Sequence, residues 1–349
     1  MPRASELFRC PARSADDLSG LEALCRNGLA IESVRAIWCK TDGTGLSNDY
    51  SRAYADATIR SFMAEALGCT LAEAAKRVQI LVSGGSEGIV SPHLLVLAEI
   101  EGGSAPSSEL GLVSGCDRQP FPGQEAGGHA HAKFTADMVR RAAAQAGFDH
   151  ASSAALVMVK SPVQPGSSIA AARARGAVAA GVGLATGRLS ALPAAFDAPF
   201  DGPDNVFAVA RSDETEQHVV VLGNAAGSRS RQSIASGALA DPLDASGVAQ
   251  VAATLGFAAA PQLRAEDARR IVGVFAKGDP PAGTIRGFAH TMEMDPTLPS
   301  HRQGRAAYAA MVATVVGMPA IFVSGGADGH GPAQGGLVAI VAEKQNRRA

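Results

Sequence analysis

The sequence predicts an α/β protein built from three similar units, because one pattern of residues occurs three times along the chain. Each copy begins with a lysine at the end of an apolar run: Lys40, Lys160 and Lys277. An arginine then opens an alanine-rich helix: Arg52, Arg175 and Arg305. Each copy ends in a turn of small residues: Ser83-Gly84, Asn224-Ala225 and Ser324-Gly325. The predicted units cover residues 1–104, 105–245 and 246–349.

Apolar runs and capping residues place the elements of the first unit. A capped helix near 16–25 precedes a buried strand at 33–40. A long helix begins near 48 and reaches about 67, and Thr70 caps a second helix that has Glu73 at the capping-box position. Strands follow at 79–85 and 93–101. This order predicts helices stacked on one face of a sheet.

The second and third units show a comparable alternation of helices and strands. In the second unit we expect strands at 109–113, 154–160, 206–211 and 218–222, with helices at 131–146 and 169–186. In the third unit we expect strands at 270–277, 284–291, 320–323 and 337–342, with helices at 244–255 and 301–316. Two histidines, His129 and His131, lie where a helix begins, and without a third ligand nearby they favour a helix-entry loop over a metal site.

Composition narrows the classes of protein and of partner. The 349 residues are 46% hydrophobic and 18% charged, which is typical of a chain with a sizeable core. The net charge is −2, without a long basic run, so we expect no nucleic-acid partner. No apolar stretch is long enough to cross a membrane, and the N-terminal residues lack the apolar core of a signal peptide. We therefore expect no membrane association and a cytoplasmic location.

The repeated lysine, arginine and serine together suit acyl transfer. A desolvated lysine near other cations has a lowered pKa and can act as a general base. A serine on a glycine turn offers a hydroxyl nucleophile, and the exposed backbone N–H groups of the turn can hold an oxyanion. The alternative is that the turns and arginines only preserve the packing of the repeats.

Several longer motifs carry a resemblance that runs almost the whole chain. They are Cys39-Lys40-Thr41-Asp42-Gly43, Asn48-Asp49-Tyr50-Ser51-Arg52, Ser83-Gly84-Gly85-Ser86-Glu87-Gly88-Ile89-Val90-Ser91-Pro92-His93, Val274-Phe275-Ala276-Lys277, Arg286-Gly287 with His290-Thr291-Met292, and Ser324-Gly325-Gly326-Ala327. The chain thereby resembles the ring-opening amidohydrolases, the family that comprises cyanuric acid hydrolase and barbiturase.

The resemblance implies three similar α/β domains around a pseudo-threefold axis, with one active site at the centre. Each domain would contribute a lysine, an arginine and a small-residue turn: Lys40, Arg52, Ser83 and Gly84; Lys160, Arg175, Ala225 and Ala226; Lys277, Arg305, Ser324 and Gly325. The implied reaction opens cyanuric acid to carboxybiuret, which then loses carbon dioxide to give biuret. Barbituric acid is the alternative substrate. The family needs no organic cofactor, and the resemblance suggests a homotetramer.

The second unit departs from the family at its expected nucleophile. Within the family, the second-domain serine attacks the ring and its lysine, here Lys160, is the base. Position 225 carries alanine instead. Ala225 is then either an engineered substitution that traps substrate or the mark of a natural relative with altered chemistry, and we favour the substitution. A binding protein that kept the pocket and lost the nucleophile is the competing class.

A structural cation site is a further expectation from the resemblance. Asp279 and the loop containing Ala327, His330, Pro332 and Gly335 are candidate ligands for Mg²⁺ or Ca²⁺, since hard cations favour oxygen ligands. The family usually has Glu at position 279 and Glu-His-Gln at 328–330. The alternative is a glycine-rich loop stiffened by hydrogen bonds.

Overall fold

The fold consists of strands and helices that alternate along the chain. The computed structural model describes residues 4–44, 48–85, 87–100, 110–121, 126–163, 168–196, 198–212, 214–292, 294 and 300–344. The first seven elements are β1 (Ala4–Pro11), α1 (Ser19–Arg26), β2 (Val34–Thr41), α2 (Ser51–Ala66), α3 (Leu71–Arg77), β3 (Gln79–Gly84) and β4 (His93–Ile100). The next six are β5 (Gly111–Pro120), α4 (His129–Gln145), β6 (Ala154–Pro162), α5 (Ser168–Thr186), β7 (Val206–Arg211) and β8 (Glu216–Ala225).

The last nine elements follow the same alternation with one short insertion. They are β9 (Gln232–Leu239), α6 (Ala245–Thr254), α7 (Ala265–Ala268), β10 (Ile271–Gly278), β11 (Thr284–Ile285), β12 (Phe288–Ala289), α8 (Ser300–Val316), β13 (Phe322–Ser324) and β14 (Gly336–Glu343). The predicted capping box is confirmed, since the Glu73 N–H donates to Thr70 Oγ1 at 3.2 Å and the Thr70 N–H donates to Glu73 Oε2 at 2.9 Å.

One strand order recurs three times. The eight-stranded sheet has the order β3-β2-β4-β1-β5-β8-β6-β7, and the four-stranded sheet has the order β13-β10-β14-β9. With the short strands β11 and β12 left out, each group of four strands has the order third, second, fourth, first, which the second group shows when read from β7 back to β5. The second and third strands of each group are parallel. The first two groups are joined where β1 pairs with β5, at Ala4 and Val113. The predicted α/β class is confirmed.

Three strand predictions differ from the structure. Strands β1 and β9 were not expected, because polar residues interrupt their apolar pattern. These polar groups are satisfied across the sheets: Ser5 Oγ lies 2.7 Å from Ser114 Oγ, and the Gln232 amide bonds both main-chain atoms of Leu7. The strand expected at 284–291 is only the short pair β11 and β12. Strand β9 falls inside the predicted unit 105–245, yet it pairs with β14.

Side chains from all three groups of strands meet in one central core. Its aromatic members are Trp38, Phe207, Phe275 and Phe322, which are fully buried. The ring centroids of Trp38 and Phe275 lie 5.2 Å apart with nearly perpendicular planes, a favourable edge-to-face contact. Helices α2, α5 and α8 bury Ile59, Val178 and Val312 in three separate outer clusters. In the described part of the chain, every helix is too short or too polar to cross a membrane.

The central core predicts a large stability cost for one aromatic deletion. Phe275→Ala should lower the free energy of unfolding by about 3–5 kcal/mol, because it leaves a cavity among strands of all three groups. Phe288→Ala is the matched control, since Phe288 is 78% exposed and its loss should change stability by only ~0.5 kcal/mol. Urea unfolding of both variants tests this, and equal costs would contradict the central placement of Phe275.

Candidate active site

The register of the parallel strands fixes which residue lies beside each lysine. Lys40 of β2 is aligned with Ser83 of β3, and Lys277 of β10 is aligned with Ser324 of β13. Aligned residues of neighbouring strands project from the same face of the sheet. In the second group, Lys160 of β6 is aligned with Val209 of β7. Two of the three lysines therefore have a serine in register, and the third has a valine.

The ends of the third strands β3, β7 and β13 line one cavity. It encloses about 190 Å³. The predicted site residues that line it are Arg52, Ser83, Gly84, Arg175, Arg305, Ser324 and Gly325. The three arginines come from α2, α5 and α8, one from each group of strands. The structure thus brings together residues that lie far apart in sequence.

The three lysines are buried beside this cavity and have different partners. Lys40 forms an ion pair with Glu87, and Lys160 forms one with Glu214. Burial lowers the pKa of both lysines, and the neighbouring carboxylate opposes that shift. These two ion pairs favour the ammonium form.

Lys277 has a neutral partner. Its Nζ donates to the Gly325 carbonyl oxygen at 2.7 Å and lies 5.0 Å from the centroid of the Phe207 ring. Burial lowers the pKa of Lys277 to about 7, and Arg175 adds to the effect. Among the described residues, no carboxylate lies within ion-pair distance of its Nζ. Lys277 therefore differs chemically from the other two lysines.

Arginines from one group reach carboxylates of another. Arg305 Nη1 lies 3.0 Å from Glu87 Oε1, and Arg175 Nε donates to Asp328 Oδ2 at 2.7 Å. Glu87 and Asp328 stand at the same spacing after Ser83 and Ser324. These contacts cross-link the walls of the cavity and hold two guanidinium groups at its edge.

Two glycines allow the arginine stems to lie against the strand ends. A methyl group on Gly84 would lie 2.7 Å from Arg52 Cγ, and one on Gly325 would lie 3.1 Å from Arg305 Cδ. Both contacts are closer than carbon atoms normally approach. The serine–glycine sequence therefore supplies the hydroxyl and also the room that the arginine needs.

The expected contact between Lys160 and Ala225 is wrong. Lys160 is aligned with His218 at the start of β8, whereas Ala225 ends that strand and is aligned with Gly111. Ala225 packs with Val113 in a small apolar cluster away from the cavity, and Ala226 next to it is exposed. The turn at 222–225 was matched to the wrong strand, since β8 is the fourth strand of its group.

The candidate cation ligands already have protein partners. The Asp279 carboxylate accepts the N–H groups of Gly326 and Ala327, and His330 Nε2 accepts the Ala208 N–H at 2.9 Å. The Ala327 and Pro332 carbonyls accept the N–H groups of His330 and Gly335. No cluster of three possible metal-ligating side chains occurs in the described residues. These hydrogen bonds stiffen the loop, as the alternative expects, and the Mg²⁺ or Ca²⁺ site stays a prediction.

The comparison with known proteins decides the family. Residues 6–343 match the family described as "amidohydrolase ring-opening protein". The chain belongs to the ring-opening amidohydrolases. It is 33% identical to the cyanuric acid amidohydrolase of Bradyrhizobium diazoefficiens, with 96% of this chain and 97% of the relative covered. It is 34% identical to that of Pseudomonas sp. strain ADP, with 97% and 98% covered.

Further relatives match the chain in sequence or in fold. A cyclic amide hydrolase of Azorhizobium caulinodans is 33% identical, with 93% of this chain and 96% of the relative covered. A solved cyanuric acid hydrolase superposes with a TM-score of 0.88 at 31% identity, covering 98% of this chain and all of the other. The cyanuric acid hydrolase from A. caulinodans gives a TM-score of 0.84 at 30% identity, with 99% and 100% covered.

Four residues of the candidate site were not expected from the sequence. They are Glu87, Val209, Glu214 and Asp328. Glu87 and Asp328 could have been found from the sequence, because each is an acidic residue four positions after a serine, Ser83 or Ser324. No sequence signal indicated Val209, because its position beside Lys160 depends on how the strands pair.

The environment of Lys277 predicts a pH-dependent stability. The charged groups that act on it are Arg175, Asp279, Asp328 and Arg305. With a folded pKa of about 7 and an ordinary pKa of 10.5, the unfolded chain binds the extra proton between these values. Stability relative to Lys277→Met should therefore rise with pH in that window, by up to about 1.4 kcal/mol for each pH unit.

Urea unfolding from pH 6.5 to 9.5 measures this difference. The exposed Lys133 supplies the control, since Lys133→Met should follow the wild-type curve at every pH. Parallel curves for the wild type and Lys277→Met would show that Lys277 keeps an ordinary pKa.

Proposed function

We propose that this chain opens the ring of a small cyclic amide, ureide or imide by hydrolysis, with cyanuric acid as the first candidate substrate. The observation that carries the proposal is one cavity lined by an arginine from each of three helices together with Ser83 and Ser324. Relatives named cyanuric acid amidohydrolase and cyclic amide hydrolase support the same reaction class.

The cavity suits a flat ring that carries several carbonyl groups. A guanidinium group presents parallel N–H donors that match a carbonyl oxygen or an anion. Three guanidinium groups around one space of about 190 Å³ can hold a single small ring by its edge. Cyanuric acid has three equivalent carbonyls, so a threefold set of donors would treat each one alike and fix the ring for attack.

The recurring strand order supports the proposed arrangement of three units around a pseudo-threefold axis. Each group contributes an arginine and the end of a third strand to the same cavity, and a lysine is aligned with each of those strand ends. The units are proposed near 1–104, 105–245 and 246–349, with β9 assigned to the third by its pairing. Residence in the cytoplasm and assembly into a homotetramer stay predictions.

A Ser–Lys mechanism fits the residues at the cavity. A lysine removes the proton of a serine hydroxyl, the oxygen attacks a ring carbonyl, and the ring C–N bond breaks. Water then hydrolyses the acyl-enzyme and releases a ring-opened carboxylate. From cyanuric acid the product is carboxybiuret, which loses carbon dioxide to give biuret. Neither step requires an organic cofactor.

The purified protein should consume cyanuric acid faster than barbituric acid, whose CH₂ group breaks the threefold match. Replacing Arg52, Arg175 or Arg305 by alanine should each lower kcat/KM by about 10–100-fold, the value of charge-assisted hydrogen bonds. Arg140→Ala is the control, since Arg140 forms an exposed ion pair on α4 and should leave the rate unchanged. A wild-type protein that opens neither ring would overturn the proposal.

A second candidate function is ring binding without turnover, and Val209 favours it. The valine removes any hydroxyl from the register position beside Lys160. On this reading, calorimetry detects binding of cyanuric acid to the wild type while no product forms, and Val209→Ser creates turnover. Hydrolysis by the wild type at an ordinary enzymatic rate would exclude this candidate.

A further inference from the structure

The three lysines aligned with cavity-lining residues are chemically unequal. Lys40 and Lys160 are each bound to a carboxylate, whereas Lys277 donates to a carbonyl oxygen. A base must be able to take up a proton, and an ammonium held by a carboxylate is a poor one. The geometry therefore separates two lysines suited to binding carbonyl oxygens from one suited to proton transfer.

Ser324 and Lys277 converge on one atom. The Gly325 carbonyl oxygen accepts Lys277 Nζ at 2.7 Å and Ser324 Oγ at 3.2 Å. The two residues are also aligned in the parallel pair β10–β13. Because both polar groups are held at the same acceptor, the lysine nitrogen lies near the hydroxyl whose proton it would take.

Ser83 lacks this freedom. Its hydroxyl donates to the Val323 carbonyl oxygen at 2.8 Å, which ties the end of β3 to β13. Both serines line the cavity, but Ser83 is almost fully buried, whereas Ser324 is half-buried. The lysine in register with Ser83 is bound to Glu87, whose other oxygen faces Arg305. Ser83 and Lys40 are therefore held in place and suit binding rather than proton transfer.

The geometry points to Ser324 as the nucleophile and to Lys277 as the base that takes its proton. The assignment rests on the proposed ring-opening activity. It moves the reacting pair from the second group of strands, where Val209 stands beside Lys160, to the third. Lys40 and Lys160 then bind the carbonyl oxygens that do not react.

The assigned steps conserve atoms and charge. The Ser324 proton passes to Lys277 Nζ as Oγ bonds to the ring carbonyl carbon. The ring C–N bond breaks, and the nitrogen leaves with the proton returned by Lys277. A water molecule then adds to the ester carbon, Ser324 Oγ leaves and regains a proton, and the ring-opened carboxylate is released.

Labelling with methanesulfonyl fluoride tests the assignment without depending on the substrate. The reagent is small enough for the cavity, and sulfonylation forms an Oγ–S bond as fluoride leaves and the serine proton passes to the base. Peptide mass mapping of the full-length protein should place the adduct on Ser324. Lys277→Met should slow labelling at least ~10³-fold, as loss of one member of a coupled pair does. Ser83→Ala should leave Ser324 labelled.

The outcomes separate this assignment from the proposed function. An adduct on Ser83, or no serine adduct at all, overturns the assignment, as does unchanged labelling of Lys277→Met. Ser324 labelled in a protein that opens neither ring supports the reactive pair and rejects the substrate proposal. With an active wild type, Ser324→Ala should lose at least ~10³-fold in turnover and still bind the ring, whereas Ser83→Ala should lose about tenfold.

Discussion

The parallel pairing of the second and third strands in each group is the constraint on which the site depends. It places a buried lysine beside the end of a third strand three times over. A buried ammonium needs a partner, and the chain supplies two kinds of partner at the three positions. Glu87 and Glu214 supply charge, whereas Gly325 supplies a carbonyl oxygen. One repeated frame thereby yields three unequal chemical environments.

Contacts between the groups keep these environments in place. The aromatic cluster beneath the cavity contains residues from all three groups, and Phe207 belongs both to that cluster and to the cavity wall. Above it, Arg305 and Arg175 reach Glu87 and Asp328 on neighbouring groups. The aromatic packing and the ion pairs together restrict the positions of the strand ends. Such support holds donors at fixed positions, which a site for a small rigid ring requires.

Local sequence patterns indicated most residues of the candidate site, but they did not indicate which strands pair with one another. The lysines and the serines at 83 and 324 stand at the ends of strong apolar runs that form strands, and the arginines lie in alanine-rich helices. The second turn was misplaced because β7 and β8 are both apolar, and only the sheet order tells which is the third strand. Likewise, the polar residues in β1 and β9 conceal strands that are stabilised by partners distant in sequence.

A crystal structure of the Ser324→Ala protein with cyanuric acid shows whether the ring lies against residue 324, because that variant should bind the ring without consuming it. We expect one ring in the cavity, with Arg52, Arg175 and Arg305 each within hydrogen-bond distance and a carbonyl carbon beside the methyl of residue 324. A ring bound outside this cavity, or one whose reacting carbonyl faces Val209 and Lys160, would contradict this expectation.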